Sequence, residues 1–169
     1  MDAAELRAMQ APIKDRYKSD PSAAVITLKA KGSIDSEGLT CKVETGRALA
    51  VAGLHPATGG SGLELCSGDM LLEALVACAG VTLKSVATAV EVPLNSGNVV
   101  AEGDLDFRGT LGVDKEAPVG FAEIRLRFEV GTDAPQDKLD LLLKLTERYC
   151  VVYQTIKNGP KVSVSMKRV

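Results

Sequence analysis

"DMLLEALVACAGVTLKSVATAVEV", residues 69–92, is nearly unbroken in apolar residues of helix-forming composition. A helix that is apolar nearly all round must be buried nearly all round, so this stretch predicts the central helix of the fold. Ser67 and Asp69 offer a cap and a first-turn acid at its start, and Pro93 stops it. Its middle holds Cys78, flanked at helical spacing by Ala74, Leu75, Val81 and Thr82. A thiol in such company usually fills space as a small hydrophobe.

The segments on either side set the architecture. Residues 3–18 read as an amphipathic helix with Leu6, Met9 and Ile13 on one side, ended by Asp20-Pro21. Alternation and β-branched content predict strands at 23–32, 38–45 and 47–53, with a tight turn at Thr45-Gly46. "HPATGGSGLELCSGD" (55–69) reads as a Gly-rich loop. After the central helix come two long strands, 98–112 and 119–131, and an amphipathic helix, 134–150, with Leu139, Leu142, Leu143 and Leu145 inward. "VVYQTIKNG" continues that helix or starts a shorter one, Asn158-Gly159-Pro160 stops it, and 161–169 reads as a last strand. This order is α+β in one domain, 1–169, with a helical arm at 1–20, and no apolar run is read as long enough for a membrane span.

Composition narrows the function classes. The chain has 169 residues, 46% hydrophobic and 25% charged, with a net charge of −2, and such a balance argues against nucleic-acid binding by phosphate neutralisation. No signal-peptide core is read at the N-terminus, and a cytoplasmic setting with no membrane partner is expected. Four cysteines, Cys41, Cys66, Cys78 and Cys150, stand beside a single histidine, His55, without a CxxC pair, so a structural zinc site is improbable. A reducing compartment disfavours permanent disulfides, which leaves redox-active thiols as the alternative to inert ones.

Several motifs have plain readings. "ATGGSG" (57–62) lacks the Lys-Ser/Thr of a P-loop and reads as a flexible loop. His55 is a candidate general base or a loop histidine without a partner. Cys41 reads as a spare thiol, while Cys66, close to the positive end of the central helix, is a minor candidate. By composition alone Cys78 and Cys150 favour two buried core cysteines.

"CSGDMLLEALVACAGVTL" (66–83), followed far along the chain by "RYCVVYQTI" (148–156), resembles the OsmC/Ohr superfamily of osmotically inducible and organic hydroperoxide resistance proteins, in its OsmC-like branch. The two cysteine motifs and the element order agree over about residues 23–168. The resemblance implies antiparallel sheets around two central buried helices and an intertwined homodimer. It also implies a thiol-dependent peroxidase for alkyl or fatty hydroperoxides. Cys78 maps on the peroxidatic cysteine, Cys150 on the resolving one, Asp69 on a helix-start acid and Arg47 on an arginine of the N-terminal β-region. Glu73 is an additional acid that could substitute for or compete with Asp69. Gly68 and Val151 stand where the family commonly has proline.

The implied chemistry needs no metal, flavin or heme. A Cys78 thiolate attacks the peroxide, the sulfenic acid condenses with Cys150, and a dithiol reductant of the lipoyl type restores both thiols. Burial alone would raise the thiol pKa, so Arg47 is assigned as the stabilising cation, oriented by Asp69. The alternative is an OsmC-like dimer with weak or no peroxidase activity that binds a small apolar ligand in stress response.

Overall fold

The computed structural model describes residues 3–34, 41–43, 53–63 and 66–168. The order is α1 (Ala3–Ser19), β1 (Val25–Ile34), β2 (Cys41–Val43), α2 (Ser67–Ala89), β3 (Ser96–Asp106), α3 (Phe107–Thr110), β4 (Phe121–Gly131), α4 (Gln136–Tyr149) and α5 (Val151–Asn158), with 3-10 turns at Pro21–Ala24 and Pro56–Thr58. The expected strand at 47–53, the turn at Thr45-Gly46 and Arg47 lie outside the described residues, apart from Gly53, which is not in a strand.

The four strands form one antiparallel sheet, ordered β2-β1-β3-β4. Ala101 sits at its centre, opposite Ala30 on one side and Leu126 on the other. Alternation divides the sheet into two faces. Val99, Ala101, Ile124, Leu126, Phe128 and Val130 join the core with α2. On the other face Arg125 grips Asp104 through both terminal nitrogens at 2.6 and 3.0 Å, with Glu123 at 3.2 Å. This charge-laced surface is the solvated side of a one-sheet, helix-covered domain. Gly103 in β3 lies against Phe121, and a Cβ there would come within 2.5 Å of the ring.

α2 covers the inner face. Leu72, Leu75, Val76, Ala79, Leu83, Val86 and Ala87 are buried at the i, i+3, i+4 spacing of a helical stripe. Burial is not all round, however. Leu71, Ala74 and Val81 are exposed, and Cys78 shares their edge of the helix, half-buried. α2 is also long and apolar enough, by length and composition, to cross a membrane, which corrects the sequence reading; here its apolar stripe packs on the sheet.

Three further expectations change. β3 ends at Asp106 instead of running to 112, because the Asp106 carboxylate accepts the Arg108 N–H at 3.0 Å and starts the short helix α3. α4 buries Leu142 and Thr146, half-buries Leu139 and Leu145, and leaves Leu143 exposed. Among the described residues there is thus one sheet with one deeply buried helix, not sheets around two. Residues 161–168 form no strand: Val162, Val164 and Met166 are 77%, 93% and 99% exposed. An extended segment becomes a strand only when a neighbour accepts its backbone hydrogen bonds, and no described strand pairs with this one.

The arm helix α1 is docked by a smaller core of Tyr17, Ala24, Phe107 and Leu111, with half-buried Ile13 against it. Tyr17 is fully buried and its hydroxyl donates to the Ala57 carbonyl at 2.7 Å. Tyr17→Phe leaves that carbonyl without its donor. The expected loss is about 1 kcal/mol of unfolding free energy, read as a lower urea midpoint with unchanged slope.

Candidate active site

The site forms where α5 meets α2. Cys150 has an extended backbone (φ −71°, ψ 108°), which breaks what would be one long helix into α4 and α5. Its N–H still donates to the Thr146 carbonyl at 2.9 Å, closing α4, and its carbonyl accepts the Gln154 N–H at 2.9 Å, opening α5. Cys150 Sγ caps the new helix by accepting the Tyr153 N–H at 3.5 Å. The residue is buried, at 1% exposure.

This break brings Cys150 to Cys78. Both thiols are free, Cys78 packs against the core cluster that includes Cys150, and each shifts the acidity of the other. Their acidities diverge. Burial works against the Cys78 thiolate, but the backbone N–H groups of Val152 and Val151, the Cys150 thiol and the Thr82 hydroxyl outweigh it, and the net shift is downward. Burial pushes the Cys150 thiol up; the Tyr153 N–H opposes this, while the hydrogen bond to Cys78 and its charge add to it. Cys78 therefore ionises first and Cys150 remains the proton-bearing partner.

The acids lie elsewhere. Asp69 is nine residues before Cys78 in α2, so about 14 Å along the axis and roughly half a revolution around it. Burial raises its pKa, with His55 opposing. Glu73, one turn on, is raised by burial and then by the charge of Asp69. The His55 ring stacks on Phe107 at 5.0 Å, and its Nδ1 accepts the Ala57 N–H at 3.0 Å. That bond places the neutral ring's proton on Nε2, which makes His55 a donor in this arrangement and not a general base. Cys66 precedes α2, about 18 Å along the axis from Cys78, too far to serve as its resolving partner.

Arg47, the cation that the sequence reading required, lies outside the described residues. Sequence reasoning placed Thr82 beside Cys78 without giving it work, although its i+4 spacing was the available signal. It also passed over the N–H groups of Val151 and Val152, which become visible only once the helix break at Cys150 is known.

A groove of about 680 Å³ runs between α2, β4 and α5, walled by Leu71, Leu75, Phe121, Ile124, Tyr153 and Ile156, with Glu123, Glu147 and Lys157 also on its wall and neither Cys78 nor Cys150 in it. Leu71 and Phe121 also line a second cavity of about 420 Å³ that reaches His55 and Cys66. Among the described residues no cluster of His, Cys, Asp or Glu is arranged to hold a metal.

A search of curated proteins found no match. Among solved structures, an OsmC-like hydroperoxide resistance protein from Jannaschia sp. CCS1 superimposes with a TM-score of 0.63, covering 86% of this chain and 95% of that one at 12% identity. At that identity the likeness is one of fold. The family model described as OsmC-like protein matches residues 59–165, more than half of the chain and inclusive of both α2 and α5. The chain belongs to the OsmC-like protein family.

Proposed function

We propose that the protein is a thiol peroxidase that reduces organic hydroperoxides through Cys78 and Cys150. The observation that carries this reading is the contact between two cysteines far apart in sequence, one favouring its thiolate and the other its thiol. That asymmetry matches a nucleophile and a resolving partner.

The Cys78 thiolate attacks the distal oxygen of R–O–O–H. The O–O bond breaks, the sulfur is oxidised to a sulfenic acid, and the alkoxide takes a proton from water and leaves as the alcohol. The Cys150 thiol then attacks the sulfenic sulfur. An S–S bond forms and the hydroxyl leaves as water with the Cys150 proton. A dithiol reductant of the lipoyl type opens the disulfide by exchange, returns two protons to the cysteines and is itself oxidised to a disulfide. Such cycling suits a reducing compartment, the cytoplasm in this reading. Asp69 and Glu73 bear on the chemistry only through another group, as in the Asp69–Arg47 pairing that the family resemblance implies.

The groove between α2, β4 and α5 supports an alkyl or fatty hydroperoxide over hydrogen peroxide, because its Leu71, Leu75, Phe121 and Ile156 walls would take an organic tail out of water. The same groove also suits a second reading, an OsmC-like binder of a small apolar ligand with little turnover. A homodimer is proposed with either. Leu71 and Val81 expose an apolar edge of α2, β4 is one of the two edge strands of the sheet, and residues 161–168 carry an alternating pattern with no partner strand among the described residues.

Stopped-flow oxidation of the reduced protein separates the two activities. Cumene hydroperoxide is expected to react faster than hydrogen peroxide, and Cys78→Ser to lose at least about a thousandfold in rate. Cys150→Ser is expected to react once and stop at a sulfenic acid that dimedone traps. Slow oxidation indifferent to Cys78 would leave only the binding reading. For assembly, sedimentation is expected to give a dimer, and a chain ending at Pro160 a smaller dimer fraction; an unchanged dimer would remove the tail from the interface.

A further inference from the structure

We propose that the tail of a second copy of this chain, residues 161–168, adds to the open edge of β4 as a further antiparallel strand and walls the grooves that run beside it. The proposal rests on the homodimer reading above and deepens it by naming the segment exchanged, the edge that receives it and their register.

The edge and the tail match. β4 runs over eleven residues, pairs with β3 on one side, and has no described strand on the other. Ile124, Leu126 and Phe128 face the core, and the outer face carries the ion pairs Glu123–Arg125 and Arg127–Glu129, at 3.2 and 3.4 Å. Inside the edge lie two grooves. Ile124 and Leu126 line the larger, of about 680 Å³, and Leu126 and Phe128 line a smaller one of about 320 Å³. The tail alternates in the same way, with Val162, Val164 and Met166 on one face and Lys161, Ser163, Ser165 and Lys167 on the other. In the single chain all three apolar residues stand exposed.

Charge selects one antiparallel register. Lys161 opposite Glu129 and Lys167 opposite Glu123 bring the two serines opposite Arg127 and Arg125. Val162, Val164 and Met166 then fall opposite Phe128, Leu126 and Ile124, so Met166 walls the larger groove and Val162 the smaller. Sliding the tail by two residues in either direction sets a lysine against an arginine, and sliding it by one turns the valines to the charged face.

Reach assigns this pairing to a second copy. Ile156 and Lys157 share the larger groove with Phe121 and Glu123, so α5 ends beside the start of β4. From Lys157 to Lys161 the chain spans at most about 14 Å. Glu129 lies six residues beyond Glu123, about 20 Å along the strand. A chain's own tail could follow β4 only in the parallel direction, against the pattern of an otherwise antiparallel sheet. In a two-fold dimer each tail lies on the other copy's β4.

The test uses Lys161→Glu and Glu129→Lys in separate full-length chains, one of them tagged, by native mass spectrometry at low ionic strength. Alone, each variant opposes like charges twice per dimer, and its dimer dissociation constant is expected to rise about tenfold. Mixed, each tail meets an edge of opposite charge, and the heterodimer is expected to form in preference to both homodimers with the wild-type affinity. Homodimers as tight as the wild type, a statistical mixture, or weakened homodimers that mixing fails to rescue overturn the exchange. Lys161→Glu mixed with Glu123→Lys is expected to stay weak; a preferred heterodimer there overturns the antiparallel register. Circular dichroism identifies a variant that fails to fold. A wild-type monomer would sink the homodimer and the exchange with it, whereas a wild-type dimer indifferent to these charges would sink the exchange alone.

Discussion

The packing of one stripe of α2 against the inner face of the sheet fixes the position of everything else that matters in this molecule. Leu72, Leu75, Val76, Ala79 and Leu83 are removed from water together with Val99, Ala101 and Leu142. Each such leucine or valine contributes about 1.5–3 kcal/mol, so the rotation of the helix about its axis is strongly specified. Once that rotation is set, Cys78 cannot be a core cysteine. It falls at the edge of the buried stripe, on the side it shares with Leu71 and Val81, and half-exposure follows. A thiol on the buried side of the same helix would be inert packing. On this edge it meets another element.

That element is α5, and its placement depends on a small backbone event. An α4 that ran on through Cys150 would carry its N–H groups into the helical ladder. The extended conformation at Cys150 interrupts the ladder, gives the chain a second helix start packed against α2, and sets the position of the second thiol. The two thiols then separate in acidity by mutual influence: a thiolate at Cys78 raises the cost of a second charge at Cys150, and the proton retained there is donated back to Cys78.

Much of this was legible in the sequence, and the misses share a cause. The 3.6-residue and two-residue periods located α1, α2, β1, β3, β4 and α4 because each has one face that must be buried. Composition could not say that α2 hides only one stripe, since an exposed Leu71 and a buried Leu72 look alike in a sequence. The segment 161–169 has a strand's alternation, yet alternation specifies a strand only when a ladder partner exists, and none of the described strands offers one. The turn from β3 into α3 was hidden because Asp106 and Arg108 read as strand polar residues until the Asp106 carboxylate is seen accepting the Arg108 N–H. At the site, the cysteine pair was readable through a family resemblance, and the helix break at Cys150 was not, since nothing in "RYCVVY" marks an extended residue between two helices. Tyr17 was missed in the same way, as its burial depends on the loop carbonyl that its hydroxyl meets.

Burial and a thiolate make opposing demands at Cys78. The residue packs against the core cluster of α2 and the sheet, and low-polarity surroundings penalise a sulfur anion. Its place at the edge of the buried stripe, not within it, keeps that penalty partial, so modest compensation from neighbouring groups is enough to turn the shift downward. Cys150, fully buried, bears the whole penalty and is pushed up to about 11. The rotation of α2 on the sheet therefore sets not only where the two thiols stand but which of them gives up its proton more readily.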